Sequence, residues 1–160
     1  ARELARGEKM NPFEEARTRT THEARASIDL VEAFFQTLEA MDFEATGRFF
    51  TDDGVYRDEP AHAMDATGPA AVTQKLATSI AGLDAFIMGV DTVVGDAGRI
   101  MTRRTEEWHF TSGEVAMLPV LCLHELESGK IKLWHEFWNM PTLIEQMPAS
   151  WLAEKARQLA

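Results

Sequence analysis

Residues 99–110 have the pattern of a strand in which charged and aromatic side chains alternate. Successive side chains of an extended chain point to opposite faces, so Arg104, Glu106 and Trp108 share one face. That face otherwise carries apolar residues and a threonine, which is typical of the wall of a core or pocket. A buried charge needs a partner, so Arg104 and Glu106 are expected to pair. The pattern predicts a binding or catalytic pair, and the alternative is an ordinary structural ion pair.

A second acidic side chain lies in the last predicted strand, where Trp134, Glu136 and Trp138 share one face. If this strand faces the same interior, the guanidinium of Arg104 can bind Glu106 on one side and Glu136 on the other. Two acids that share one cation in an apolar cavity titrate as a coupled pair, which retains one proton over part of the pH range. Such a pair could act as acid and base together at neutral pH; the alternative is a buried cluster that only stabilises the fold.

Metal and nucleotide chemistry have little support in the sequence. His109, His124, His135 and Cys122 do not occur at a familiar ligand spacing, so no metal site is expected. Cys122 lies in an apolar run and is interpreted as a core residue. There is no glycine-rich phosphate loop, nucleophile elbow or dinucleotide fingerprint, so we expect no cofactor.

The composition is that of a soluble globular protein with an acidic surface. The chain has 160 residues and a formal net charge of −10, from 26 acidic and 16 basic residues. This charge would repel phosphate backbones and anionic lipids, so nucleic acid and membrane surfaces are not expected partners. No apolar run approaches the length of a membrane span. These features favour a cytoplasmic protein.

The first half of the chain predicts helices around one short strand. Apolar residues recur at three- and four-residue steps over 23–41, which predicts a long amphipathic helix. Residues 43–50 are expected to form a second, short helix that ends at a turn, 51–54. A strand at 55–59 and a loop precede a helix that begins at Gly68 and Pro69 and runs to about residue 81.

The second half predicts strands separated by short glycine-containing turns. Four strands are expected, at 85–94, 99–110, 115–126 and 131–139, followed by helical pieces at 142–147 and 149–159. Strands joined in this way form an antiparallel meander. Helices followed by such a sheet predict an α+β domain.

We expect one domain, 23–160, preceded by an N-terminal extension at 1–22 that is helical or flexible. Both faces of the last predicted strand are substantially apolar, because Leu133 and Phe137 lie opposite the tryptophan face. A sheet that must be covered on both sides needs helices on one side and something else on the other. A second copy of the chain would satisfy this need, so a homodimer is expected.

Three segments carry a resemblance to a known family: FFTDDGVYRD at 49–58, TRRTE at 102–106 and GKIKLWHEFW at 129–138. In this order, and with the intervening helices, they resemble the limonene-1,2-epoxide hydrolases. These enzymes belong to the NTF2-like superfamily, which also includes SnoaL-like cyclases and ketosteroid isomerase. The resemblance extends from about residue 26 to 147. It implies a cone in which a curved, mixed or antiparallel sheet wraps around N-terminal helices and encloses a pocket.

The resemblance also implies roles for five residues. An acid–Arg–acid triad opens an epoxide in one step, so Glu136 would be the base, Glu106 the acid and Arg104 the bridging cation. Tyr56 and Asp58 would hold the attacking water. Three of these positions depart from the family pattern, in which both triad acids are Asp and the water ligand is Asn. Glu reaches one methylene further than Asp, and Asp58 accepts a hydrogen bond but donates one only when protonated.

The implied activity is hydrolysis of a small, apolar, terpene-like epoxide, without a cofactor. The predicted substrate-binding residues are Trp108, Trp134, Trp138, Phe35 and Leu118. Three alternatives remain open: an epoxide-opening cyclase that uses an internal hydroxyl, an isomerase or cyclase that moves a proton next to a carbonyl, and a non-catalytic module that binds small molecules.

Overall fold

The computed structural model describes residues 10–80 and 82–158. Six strands form one curved sheet in the order β2-β1-β6-β5-β4-β3. The elements in chain order are α1 (Pro12–Arg19), α2 (His22–Glu39), α3 (Phe43–Gly47), β1 (Phe50–Asp58), a 3-10 helix (Glu59–Met64), β2 (Ala66–Thr67), α4 (Pro69–Ile80), β3 (Leu83–Gly95), β4 (Arg99–Phe110), β5 (Val115–Glu127), β6 (Lys130–Phe137), α5 (Met140–Ile144) and α6 (Ala149–Gln158).

The sheet is mixed. Strands β3 to β6 form the expected antiparallel meander. Strand β1 pairs with β6 in parallel, so Tyr56 lies opposite Trp134 and Asp58 opposite Glu136. The predicted α+β class with a mixed or antiparallel sheet is confirmed.

The predicted turn at 51–54 is instead part of β1. Phe50 pairs with Ile131 and Val55 with Leu133, so this strand carries extra residues in an irregular stretch between two regular pairs. Gly54 fits there because it lacks a side chain: a Cβ at this position would lie 2.6 Å from the carbonyl oxygen of Ile131. A polar, glycine-containing segment resembles a turn in sequence, but pairing with β6 keeps it extended.

Helix α2 covers the inner face of the sheet. Its N-cap is Thr21, whose side chain accepts a hydrogen bond from the Ala24 amide. The buried stripe consists mainly of Ile28, Val31, Phe34, Phe35 and Leu38. The ring of Phe34 packs edge-on against Trp134, with centroids 4.8 Å apart. Burial of one such side chain stabilises the fold by roughly 1.5–3 kcal/mol. The helix predicted at 23–41 is therefore confirmed to within two residues at each end.

Part of the predicted N-terminal extension is an ordered helix on the domain. Asn11 caps α1, and Phe13 is 5% exposed and packs edge-on against Phe35 at 6.1 Å. Arg17 pairs with Asp29 of α2. Residues 12–19 therefore form a helix that contributes to the core, and residues 1–9 lie outside the described residues. The sequence left a helical and a flexible segment both open, because a helix of two turns shows too little apolar periodicity to decide between them.

Helices α5 and α6 follow the last strand. Trp151 of α6 packs edge-on against Phe110 of β4, with centroids 5.1 Å apart. Within residues 10–80 and 82–158, no helix has the length and hydropathy to cross a membrane.

Candidate active site

Strands β1, β4 and β6 bring the five predicted catalytic residues together. Each is 8% exposed or less, and together they are Tyr56, Asp58, Arg104, Glu106 and Glu136. Arg104 and Glu106 are on the inner face of β4, as the alternation predicts. The register of β1 and β6 places Asp58 beside Glu136. Residues far apart in the sequence thus form one buried polar cluster.

Arg104 bridges the two glutamates. Its Nη2 donates to Glu106 Oε1 at 2.6 Å, and its Nε donates to the same oxygen at 3.1 Å. Nη2 also donates to Glu136 Oε1. The Arg104 side chain is fully buried, and those of the two glutamates are 6% and 5% exposed. These are charge-assisted hydrogen bonds in a site largely shielded from solvent, which is where such bonds are strongest.

The second oxygen of each glutamate faces a different group. Trp108 Nε1 donates to Glu106 Oε2 at 3.0 Å. The Tyr56 hydroxyl lies 3.2 Å from Glu136 Oε2 and 3.4 Å from Asp58 Oδ1. Glu106 therefore accepts three N–H hydrogen bonds. The Tyr56 hydroxyl has one proton, so it can donate to only one of its two carboxyl neighbours.

Burial, together with the charges of Glu106 and Asp58, raises the pKa of Glu136 to about 8 against the opposing effect of Arg104. Burial alone would lower the pKa of Arg104, but the charges of Glu136 and Glu106 outweigh it and raise that pKa above its usual value. Burial, with the charges of Asp58 and Glu136, holds the pKa of Tyr56 well above its usual value. These shifts favour a charged Arg104, a neutral Tyr56 and a protonated Glu136 at neutral pH.

A lysine that the sequence analysis did not single out completes the cluster. Lys75 Nζ lies 2.7 Å from Asp58 Oδ2 and 3.8 Å from the centre of the Tyr56 ring. Trp138 Nε1 donates to Asp58 Oδ1 at 2.8 Å. Lys75 lies on α4 three residues after the buried Val72. A lysine at helical spacing within an apolar stripe is the signal that could have identified it.

The cluster opens onto a cavity of about 240 Å³. Four of the five residues that were predicted to bind substrate line this cavity: Trp108, Trp134, Trp138 and Leu118. Phe35 does not line it and instead packs beneath the site, with its ring centre 5.1 Å from the Arg104 guanidinium carbon. Further apolar lining residues come from α4, α5, α6 and the turn between α5 and α6, and include Leu76, Ile80, Met140, Leu143, Met147 and Trp151.

Cys122 and His124 lie behind the site and are fully buried. Burial raises the pKa of the Cys122 thiol well above its usual value, so this residue is not a thiolate nucleophile at neutral pH. Burial, with the charge of Arg104, lowers the pKa of His124 to about 3 and keeps the ring neutral. Within the part of the chain that the structure describes, no three His, Cys, Asp or Glu side chains are arranged to hold a metal ion.

Comparison with known proteins gives a family and several structural neighbours. The sequence model of the SnoaL-like domain matches residues 31–134. No curated protein matches the chain. An LEH-like epoxide hydrolase from M. tuberculosis is similar in structure, with 22% identity and a TM-score of 0.66 over 78% of this chain and 90% of that one.

Two further solved structures share the architecture. A protein named as a SnoaL-like polyketide cyclase, from Jannaschia sp. CCS1, has 13% identity and a TM-score of 0.70 over 81% of this chain and 96% of that one. A protein from Catenulispora acidiphila DSM 44928, described as having a ketosteroid isomerase-like fold, has 18% identity and a TM-score of 0.66 over 76% and 95%. At these identities the similarity shows the fold alone.

Proposed function

Because the chain belongs to the SnoaL-like domain family, whose fold here encloses two acids and an arginine, we propose that it is an epoxide hydrolase that acts on a small apolar substrate. One observation carries the proposal: Arg104 bridges two buried glutamates beside an apolar cavity, and the pKa of Glu136 is raised to about 8. A pair that holds one proton at neutral pH contains an acid and a base at once.

The proposed reaction needs one proton donor and one proton acceptor. The donor protonates the epoxide oxygen as the carbon–oxygen bond breaks, and the acceptor takes a proton from water as the new carbon–oxygen bond forms. The product is a diol. The carboxyl group that began with the proton is now ionised, and the other carboxyl group now carries a proton. A proton transfer between the two carboxyls then restores the starting state, so no covalent intermediate is required.

The hydrogen bonds support a direction for this transfer. Glu106 accepts three N–H bonds, whereas Glu136 has the raised pKa and faces the Tyr56 hydroxyl. We therefore assign the acid to Glu136 and the base to Glu106, the reverse of the roles that the family resemblance implies. In this assignment the Tyr56 hydroxyl and the Glu136 carboxyl are two O–H donors for the oxygen of the opening epoxide.

Hydrolysis of a panel of cyclic and aliphatic terpene epoxides in oxygen-18 water tests the activity. We expect the wild type to form a diol with one labelled oxygen, and Glu136→Gln and Glu106→Gln to lose at least roughly a hundredfold in rate, the usual contribution of general acid–base catalysis. An unlabelled cyclic ether would mean that an internal hydroxyl attacks, as in an epoxide-opening cyclase. A folded wild type without turnover of any epoxide, or a Gln variant with near-normal turnover, would contradict the proposal.

The pH dependence of the residual rates tests the assignment of roles. In Glu136→Gln only the base remains, so the residual rate should rise with pH. In Glu106→Gln only the acid remains, so the residual rate should fall as Glu136 loses its proton. The opposite pair of trends would restore the assignment implied by the family.

A further inference from the structure

The site holds more carboxyl groups than a two-acid mechanism uses. Asp58 is a third buried acid, and its side chain is 8% exposed. Its counter-charge comes from Lys75, whose side chain is 7% exposed and whose Nζ lies 2.7 Å from Asp58 Oδ2. Burying two charges costs free energy unless they are closely paired, so a pair at this depth requires an explanation.

The charges of the cluster balance with one proton. Lys75 and Arg104 supply two positive charges, and Asp58, Glu106 and Glu136 supply up to three negative ones. A single proton on the carboxyl groups therefore makes the cluster neutral, which a buried site favours. Without Lys75, neutrality would require two protons. The other titratable side chains of the cluster and the cavity wall are Tyr56 of β1, Arg104 and Glu106 of β4, Glu136 of β6 and Lys155 of α6, and Cys122 of β5 lies behind Arg104 and Glu136.

The Lys75–Asp58 pair also has the hydrogen-bonding capacity of an amide. A carboxylate only accepts, whereas an ammonium only donates. Asp58 Oδ1 accepts from Trp138, and Lys75 has no hydrogen-bond acceptor with good geometry among the described residues apart from its ion-pair contact. The pair thus presents an acceptor and a donor at one wall of the cavity, with no net charge.

We propose that Lys75 is a positioning residue that acts through Asp58: by pairing with Asp58 it limits the three carboxyl groups to one proton, which remains on Glu136. This inference rests on the proposed function for its catalytic consequence. The proton count itself does not depend on turnover, so it can be measured separately.

Three variants test the proton count: Lys75→Met, Asp58→Asn and the double variant. Carbon-13 NMR of labelled Asp and Glu carboxyl groups gives the number of protonated site carboxyls at pH 7. We expect one in the wild type, two in Lys75→Met, none in Asp58→Asn and one in the double variant. Lys132→Met is the matched control, since it removes an exposed lysine that pairs with Asp53, and its count should remain one.

The rate profile should follow the same order. The pH at which the rate declines on the alkaline side should move up in Lys75→Met and should move below pH 7 in Asp58→Asn, because the first variant removes a positive charge from the cluster and the second removes a negative one. Each single variant should lose roughly tenfold at neutral pH, because its carboxyl groups then hold two protons or none instead of one. The double variant should regain most of that rate, which a purely structural lysine would not allow.

The outcomes separate the two proposals. One protonated carboxyl in Lys75→Met would overturn the role of Lys75, whatever the rates. If Lys75→Met does not fold, the Asp58→Asn variant still tests the inference. A site carboxyl group that remains protonated at pH 7 in Asp58→Asn would contradict it. The expected NMR counts in a protein that turns over no epoxide would support the charge balance and reject the proposed function.

Discussion

Burial acts in opposite directions on two neighbouring side chains. It raises the pKa of Glu136 from 4.5 to about 8 and lowers that of His124 from 6.5 to about 3, since in each case the neutral form is favoured. Arg104, whose charge lies close to both, opposes the first shift and adds to the second. The charge of Arg104 thus limits the rise in the pKa of Glu136 and helps to keep the ring of His124 neutral.

These two shifts predict how stability depends on pH. Between pH 4.5 and 8 the folded protein holds a proton on Glu136 that the unfolded chain releases, so this stabilisation is complete below 4.5 and is lost as the pH rises to about 8. Between pH 3 and 6.5 the unfolded chain binds a proton at His124 that the folded protein excludes, so stability rises with pH there. The free energy of unfolding changes by about 1.4 kcal/mol per pH unit in each range. The two changes have opposite signs, so they cancel between pH 4.5 and 6.5.

Urea unfolding between pH 3 and 9 checks this prediction. The free energy of unfolding should be nearly constant from pH 4.5 to 6.5 and should fall on either side. Glu136→Gln should lose the decline above pH 6.5 and keep the acidic one. A wild-type stability that increases from pH 6.5 to 8 would contradict the shift assigned to Glu136.

At the scale of elements, the parallel pairing of β1 with β6 brings two parts of the site together. Residues 51–54 of β1 form an irregular stretch, and regular pairing with β6 resumes at Val55. Asp58 and Glu136 are opposite each other because of this shift in register. Gly54 is at the tightest point of this stretch, where a Cβ would lie 2.6 Å from a backbone oxygen of β6.

Gly54→Ala should therefore weaken both the fold and the site. We expect the free energy of unfolding to fall by about 1–3 kcal/mol, the usual cost of overpacking, because the contact is with backbone that cannot rotate away. Turnover should also fall, since β1 carries Tyr56 and Asp58. Urea unfolding and the epoxide assay measure the two effects.

Gly98→Ala is the matched control for that substitution. A Cβ at Gly98 would meet only the Asp96 side chain, at 3.9 Å, so we expect a change of less than about 0.5 kcal/mol. Equal stability of Gly54→Ala and Gly98→Ala would show that β1 adjusts its pairing without cost.

At the scale of the whole molecule, the outer face of the sheet is unusually apolar. Six large apolar side chains there are between 40% and 44% exposed: Ile87, Met101, Val115, Met117, Leu121 and Phe137. Leu121 and Phe137 are directly opposite each other on β5 and β6. Exposed apolar patches of this kind mark interaction surfaces. The expectation of a homodimer, drawn from the apolar residues of the last strand, is therefore retained as a proposal, with this outer face as the interface.

Light scattering after size-exclusion chromatography checks the homodimer. The wild type should have twice the mass of the chain, and Leu121→Glu should have the mass of one chain, because a buried unpaired carboxylate opposes association. Ile144→Glu, an equally exposed position on α5, is the control and should remain dimeric. A wild type that is monomeric at micromolar concentrations would reject the proposal.

Local periodicity was sufficient to predict much of the site. Alternation along β4 and β6 places Arg104, Glu106 and Trp108 on one face and Glu136 with its flanking tryptophans on another, and both faces point inward. Side-chain direction in a strand depends only on the extended backbone, which is a local property. The α+β class follows from equally local signals, namely helical spacing in α2 and glycine turns between the later strands.

Long-range packing decided the rest. The docking of α1 through Phe13, the parallel pairing of β1 with β6 and the place of Phe35 behind Arg104 depend on contacts between distant segments. Lys75 meets Asp58 only because α4 packs beside β1. The pKa of Glu136 likewise depends on desolvation and on charges from three strands, none of which is a property of its neighbours in sequence. The sequence by itself therefore determined which side chains share a face. The tertiary structure decided which faces meet and what charge their side chains carry, because burial and long-range pairing are properties of the folded chain alone.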